Sequence, residues 1–305
     1  MKLRVAVPDL ISPSYFPAIA AVELGFFRKE GLDATLELLH PVTKTYEALR
    51  EGRLDFVGGA AHAALYAFKN WDGGKLLCAL AQNMYWFLVV RSDLRPRRGN
   101  LHSVKGLRIG AAPGPADGLK RMLAAAGIDP VRDVQIGPVP GTAAGPAVSF
   151  GLLAAKALEE GKIDGFWANG MGAEVALRGG YGTVVVDARR DGPEDAKGYT
   201  FPALVSSEKL IHEKPALAAA AVRAVKAAQE ALRQDAERAA EVGRKLFPAM
   251  EASLIAELVR RDVPFYDAAI SPGNVESMNR FAADIGLLAK PVRYEQVVFP
   301  VKRAS

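Results

Sequence analysis

Cysteine is all but missing from this chain. One residue in 305, Cys78, leaves no partner for an intramolecular disulfide and excludes a zinc site built from cysteine pairs. Histidine is scarce as well. The four histidines are scattered and His212-Glu213 lacks the second histidine of a helical metal pair, so no metal and no cofactor are expected. No run approaches the ~18 consecutive apolar residues of a spanning helix, so the chain is not expected to cross a membrane by itself. Charge of one sign is not concentrated. The net +5 comes from 39 basic against 34 acidic residues, spread along the chain apart from Arg95, Arg97 and Arg98. Without a basic stripe interleaved with aromatics, nucleic acid is not an expected partner. Catalytic signatures fail too: there is no Gly-x-x-x-x-Gly-Lys-Ser/Thr phosphate loop. Ala147-Val148-Ser149-Phe150-Gly151, a near miss for a nucleophile elbow, lacks the first glycine and lies inside a predicted helix after Pro146.

What is present is a globular composition, half hydrophobic and 24% charged, long enough for two domains of ~150 residues. Apolar spacing predicts strands over 3–7, 34–39, 54–57 and 76–81, with helices over 17–27, 46–51 and 60–68 between them. Strands alternating with helices predict a mainly parallel sheet with helices on its faces. After a strand over 87–90 and a polar stretch over 91–105, the pattern restarts. Strands are expected at 107–111, 134–139, 163–167 and 183–186, and helices at 118–126, 147–160 and 173–177. Glu51-Gly52-Arg53-Leu54-Asp55-Phe56 is echoed by Glu160-Gly161-Lys162-Ile163-Asp164-Gly165-Phe166. The echo implies two similar α/β lobes. Beyond a strand over 201–205 the chain reads as helix, and a tail without strands has to pack on an existing sheet, here the first. The expected division is therefore 1–86 with 202–305 as lobe 1 and 87–201 as lobe 2, hinged near 87–90 and 201–205.

The stretch Pro17-Ala18-Ile19-Ala20-Ala21-Val22-Glu23-Leu24-Gly25-Phe26-Phe27-Arg28-Lys29-Glu30-Gly31-Leu32-Asp33 resembles the opening helix of the nitrate/sulfonate/taurine class of ABC-transporter substrate-binding proteins. That class (SsuA-like and NMT1-like) also holds binders of thiamine-pyrimidine precursors. The resemblance continues through 48–56, 104–110, 126–130 and 271–287. It implies a two-lobed periplasmic-binding-protein type II fold with a helical C-terminal tail on lobe 1. The implied protein is a monomer that closes on a small organic ligand and presents it to a membrane permease. The alternative on the same scaffold is an enzyme, such as a pyrimidine-precursor synthase, a menaquinone-pathway enzyme or an aromatic-acid decarboxylase, although the cysteine-rich motif of the synthases is missing. A leader removed before Met1 would make the chain periplasmic, whereas Met1 as the true start would make it cytoplasmic.

In open α/β sheets the ligand lies beyond the carboxyl ends of the strands. The loops there are 9–16, 40–43, 58–62, 82–86, 112–117, 141–146 and 168–171, and helix N-termini converging on them favour anions. The run Gly58-Gly59-Ala60-Ala61 carries no hydroxyl, which argues against a small inorganic oxyanion. The aromatics Tyr15, Phe16, Tyr85, Trp86 and Trp167 stand at strand ends or helix starts, where they either stack on a flat ligand or seal the core. His40 and His62 are candidate polar contacts or surface and capping histidines, and Asp117 either pairs with a ligand amine or caps its helix. Ser14, Thr142 and Asn169 complete the candidate set as polar groups in the same loops. The ligand this set suggests is a small organic anion or a heteroaromatic molecule.

Overall fold

The computed structural model describes residues 2–141 and 149–300. The first sheet is built from β1 (Lys2–Val7), followed by α1 (Phe16–Glu23) and α2 (Phe26–Lys29), then β2 (Asp33–Leu38) and α3 (Val42–Arg50). The helix expected over 17–27 is broken in two at Gly25, which takes φ 76°. Next come β3 (Phe56–Ala60) and β4 (Gly74–Ala79). Between them the expected α-helix over 60–68 is a 3₁₀ turn, Ala61–Tyr66, entered directly from a strand that runs through both glycines.

The second sheet opens with β5 (Phe87–Arg91) and continues through β6 (Arg108–Ala111), α4 (Pro115–Ala125), β7 (Gln135–Gly137) and α5 (Phe150–Glu159). It is completed by β8 (Gly165–Ala168), α6 (Gly170–Arg178) and β9 (Gly182–Asp187). The start expected for α5 at 147 falls outside the described residues. Ser149 is its N-cap, with extended backbone (φ −151°, ψ 128°) and a side chain that accepts from Leu152 N–H. Ser149 therefore precedes the helix instead of lying inside it. After α7 (Glu194–Lys197), β10 (Pro202–Ser207) returns to the first sheet. The tail is helical: α8 (Glu208–Glu213), α9 (Pro215–Gln234), α10 (Arg238–Leu246), α11 (Ala249–Asp262), α12 (Pro272–Asp284) and α13 (Tyr294–Val297).

The strand orders are β2-β1-β3-β10-β4 and β7-β6-β8-β5-β9. Each sheet is mixed. Its outer strands are parallel, and the one antiparallel strand, β10 or β5, wedges between the third and fourth βα strands. Such a strand arrives from the opposite lobe, so its direction is set by the crossing and not by a βαβ unit. Helix α9 packs on α1 and α2 with its alanine-rich face buried, while α11 packs on α10 and also reaches α6 through Arg261–Glu174 (2.6 Å) and Arg178–Glu257 (2.7 Å). The two lobes are thus bridged by the tail as well as by the crossing strands. No helix among the described residues is long and apolar enough to cross a membrane. Cys78 is buried in β4, and burial pushes its thiol up to about 12, so it is inert at neutral pH.

Candidate functional site

The carboxyl ends of β1, β2, β6 and β8 face one another across a cleft. Pro8, Asp9, Ser12 and Tyr15 line it from the segment after β1, and His40 and Val42 from the segment after β2. The opposite wall is Ala112, Pro113 and Pro115 after β6, Phe150 at the start of α5, and Trp167, Ala168 and Asn169 at the end of β8, with Trp86 at the base. The space measures about 420 Å³ with its mouth. Hydrogen bonds from Ser149 and Asn169 to Asp9 cross it from one lobe to the other, so the cleft is shut.

Asp9 is the centre of this closed state. Its Oδ2 accepts from Ser149 Oγ (2.9 Å), Phe150 N–H (3.1 Å) and Asn169 Nδ2 (2.7 Å), while Oδ1 accepts from Ile11 N–H (2.9 Å). A side chain of the first lobe is thereby held by three donors of the second. The donors exist because two helices of the second lobe begin side by side. Asn169 caps α6 by accepting from Met171 and Gly172 N–H, which leaves its amide NH₂ free for Asp9. Gly172 lets α6 approach so closely that a Cβ there would lie 2.5 Å from the Gly151 carbonyl. Burial raises the Asp9 carboxyl to about 6 against the pull of its hydrogen bonds, which favour the charged form.

Around the carboxylate the walls are aromatic. Trp86 and Trp167 are buried with ring centroids 6.0 Å apart, and Trp167 Nε1 donates to the Pro115 carbonyl at 2.9 Å. His40 stacks on Phe150 across the cleft (5.7 Å, 18°), and burial holds its imidazole below the usual histidine range. The Tyr15 hydroxyl meets that of Tyr85 at 2.6 Å, and burial raises both phenols. Ser12 Oγ lines the same cavity, fully buried and with no partner among the described residues.

Of the residues expected at the site, Tyr15, His40, Trp86, Trp167 and Asn169 line the cavity. The others among the described residues stand apart from it. Tyr85 lies behind Tyr15, and Phe16 is in the core against Phe247. Ser14 points to Asp262 (3.3 Å). His62 is buried, with Nε2–H reaching the Gly114 carbonyl at 3.2 Å and Nδ1 without a partner among the described residues. Asp117 accepts from Tyr66 Oη at 2.7 Å and lies 3.7 Å from His62. His62, Tyr66, Gly114 and Asp117 thus form a second contact between the lobes. Thr142 lies outside the described residues. Asp9, Ser12, Ser149 and Phe150 were not singled out as site residues from sequence. The signal for Asp9 was an acid directly after a hydrophobic strand, and Ser149 was obscured by the predicted helix around it.

The fold recurs in solved structures. A protein of Bordetella bronchiseptica RB50 superposes with a TM-score of 0.74 at 21% identity, covering 92% of this chain and 88% of that one. The alkanesulfonate-binding protein SsuA from Xanthomonas axonopodis pv. citri, bound to MOPS, gives 0.74 at 15% identity and 98% of each chain. A mutant of the desulfurization enzyme DSZB in complex with biphenyl-2-sulfinic acid gives 0.63 at 16% identity, covering 98% of this chain and 97% of that one. These likenesses establish the two-lobed periplasmic-binding-protein fold. Comparison with curated proteins finds no match. The profile of the NMT1-like family matches residues 11–245, about three quarters of the sequence, and the chain belongs to that family.

Proposed function

We propose that this protein is a solute receptor that closes on a flat, ring-bearing organic molecule and hands it to an ABC importer. The observation that carries the reading is the cavity between the two sheets, walled by Trp86, Trp167, Tyr15 and Phe150 and furnished with few polar groups. Flat surfaces with a small number of placed acceptors and donors suit a ring better than a compact inorganic ion. Two structural neighbours hold ring-bearing compounds, MOPS and biphenyl-2-sulfinic acid, while others are named for aliphatic sulphonate and nitrate, so the ring preference rests on this cavity's own walls. Residues 1–86 with 202–305 and residues 87–201 are the two moving bodies in this reading, with 87–90 and 201–205 as the hinge. Delivery to a permease places the working protein in the periplasm.

A thermal-shift panel of carboxylates, sulfonates, aromatic acids and pyrimidines tests the reading. A binder at 100 times its dissociation constant stabilises by about 2.7 kcal/mol, and small-angle scattering on the hit should show a smaller radius of gyration. A panel with no ring-bearing binder removes the proposal, and product formed from a bound compound moves the protein to the enzyme class.

A further inference from the structure

Within the cavity, Asp9 is the only lining residue with a carboxylate, and no lysine or arginine lines it among the described residues. The donors that would receive an oxyanion are nevertheless all built: the start of the ten-residue α5 with its Phe150 N–H, the Ser149 hydroxyl and the Asn169 amide. A helix N-terminus with added side-chain donors is a seat for negative charge. Here the seat is taken by the protein's own carboxylate, through one oxygen, Oδ2. The other oxygen, Oδ1, accepts from Ile11 N–H, and Gly151 N–H also bonds the carboxylate, which leaves Oδ1 lone-pair capacity toward the cavity that Asp9 lines. The Ser12 hydroxyl is buried and unpartnered in the same cavity, a polar group awaiting a contact that no described residue supplies.

We infer that Asp9 is the specificity-determining residue of the cleft. Its carboxylate fills the oxyanion seat at the start of α5, excludes sulfonates and carboxylates, and selects a flat molecule, neutral or cationic, that donates a hydrogen bond to Oδ1. The inference rests on the solute-receptor reading and sharpens its ligand class. An oxyanion entering the closed cleft would have to displace Asp9 from three donors and then lie beside it. A ring bearing an amino group or ring N–H would find an acceptor ready and the Ser12 hydroxyl in the same cavity.

Titration calorimetry with three probes, sulfate, MOPS and cytosine, on the parent protein, Asp9→Ala and Asp9→Asn tests this. The parent is expected to bind neither oxyanion below millimolar concentration. Asp9→Ala empties the seat and should raise oxyanion affinity at least ten-fold, with cytosine binding weakened to a similar degree. Asp9→Asn removes the charge but keeps the seat filled, so its oxyanion affinity should lie between the two. If circular dichroism shows Asp9→Ala unfolded, Asp9→Asn decides alone, and its oxyanion affinity must exceed that of the parent. Micromolar binding of sulfate or MOPS by the parent, or no gain in any folded variant, overturns the inference. The receptor reading fails differently, by the absence of any organic binder from the panel, because the oxyanion arm reads the seat itself and needs no natural ligand.

Discussion

In the first lobe Arg4 donates its backbone N–H to the Asp55 carboxylate (2.8 Å), receives the Asp55 N–H on its carbonyl (3.0 Å), and sends a guanidinium N–H to the Gly52 carbonyl (3.1 Å). In the second, Arg108 does the same with Asp164 (2.9 and 2.9 Å) and Gly161 (3.1 Å). The antiparallel strands correspond too, each with a register shift, at Leu204/Val205 and at Leu88/Val89. The ends of the sheets remote from the cleft are therefore repeats of one another, and the cleft ends are not. Counting along from the matched arginines and aspartates, Asp9 corresponds to Pro113, Gly58 to Trp167, and Ala60 to Asn169. One lobe contributes a carboxylate to the cavity, the other an indole wall and capped helix starts. The hydrogen bonds that hold the strands recur in both lobes, whereas the residues at the cleft ends differ, so the two walls of the cavity are chemically unlike.

The largest expected effect comes from making the lobes alike at the wall. Trp167→Ala removes a fully buried indole that has only glycine as its counterpart, and should lower unfolding free energy by about 3–5 kcal/mol in chemical denaturation. A loss below about 1 kcal/mol would mean the wall is not packed as described. The next effect is a pH dependence led by Asp9. Burial raises its carboxyl to about 6 when the cleft is shut, against about 3.8 for a carboxyl free in water, so the closed protein binds more protons between those values than one in which Asp9 is exposed. Closure is then fully supported below about pH 3.8 and loses on the order of 3 kcal/mol as pH rises through about 6. His40, whose imidazole is held low, contributes with the opposite sign as pH falls, and Asp9→Asn isolates the two. Scattering without ligand should show a larger radius of gyration at pH 7.5 than at pH 5 in the parent and no such decrease on acidification in the variant.

Third is the contact beside His62. Gly114 has φ 88°, and a Cβ there would sit 2.9 Å from Val42 Cγ1 of the facing lobe. Gly114→Ala should cost about 1–3 kcal/mol, read as a roughly five-fold or greater loss of ligand affinity with the open form enriched in scattering. Unchanged affinity would show that full closure is not needed for binding. The smallest effect tests the repeat itself. Asp55→Ala and Asp164→Ala each remove the strand-end acceptor, and Asp164→Ala should be the worse by less than about 1 kcal/mol. The difference arises because Arg108 also gives Asp164 two side-chain hydrogen bonds at 2.8 Å, partly exposed to water.

Much of this architecture was legible because it is local. The Gly-capped helix followed by an aliphatic-Asp strand start can be read in both halves, and the restart of the pattern at 107–111 announced the second sheet. The strand direction of β5 and β10 was not legible, since pairing partners far away in sequence decide it. Tyr15, His40, Trp86, Trp167 and Asn169, which the strand-end rule singled out, line the cavity. His62 and Asp117 obey the same rule and yet lie outside the cavity, because the two lobes meet at that corner and occupy each other's groups.

The sequence by itself carried the resemblance that named the family, the two-lobed α/β class and five of the loops that line the cleft among the described residues, 9–16, 40–43, 82–86, 112–117 and 168–171, because motifs, glycine caps and strand-end position act over a few residues. Only the tertiary structure decided what those loops do. Asp9 and Ser149 are 140 residues apart, and their 2.9 Å contact exists only when two separately folded sheets close. Whether a helix N-terminus is an open anion site or one already filled by a carboxylate depends on that closure, since hydrogen-bond donors and the charge that satisfies them can come from opposite ends of the chain.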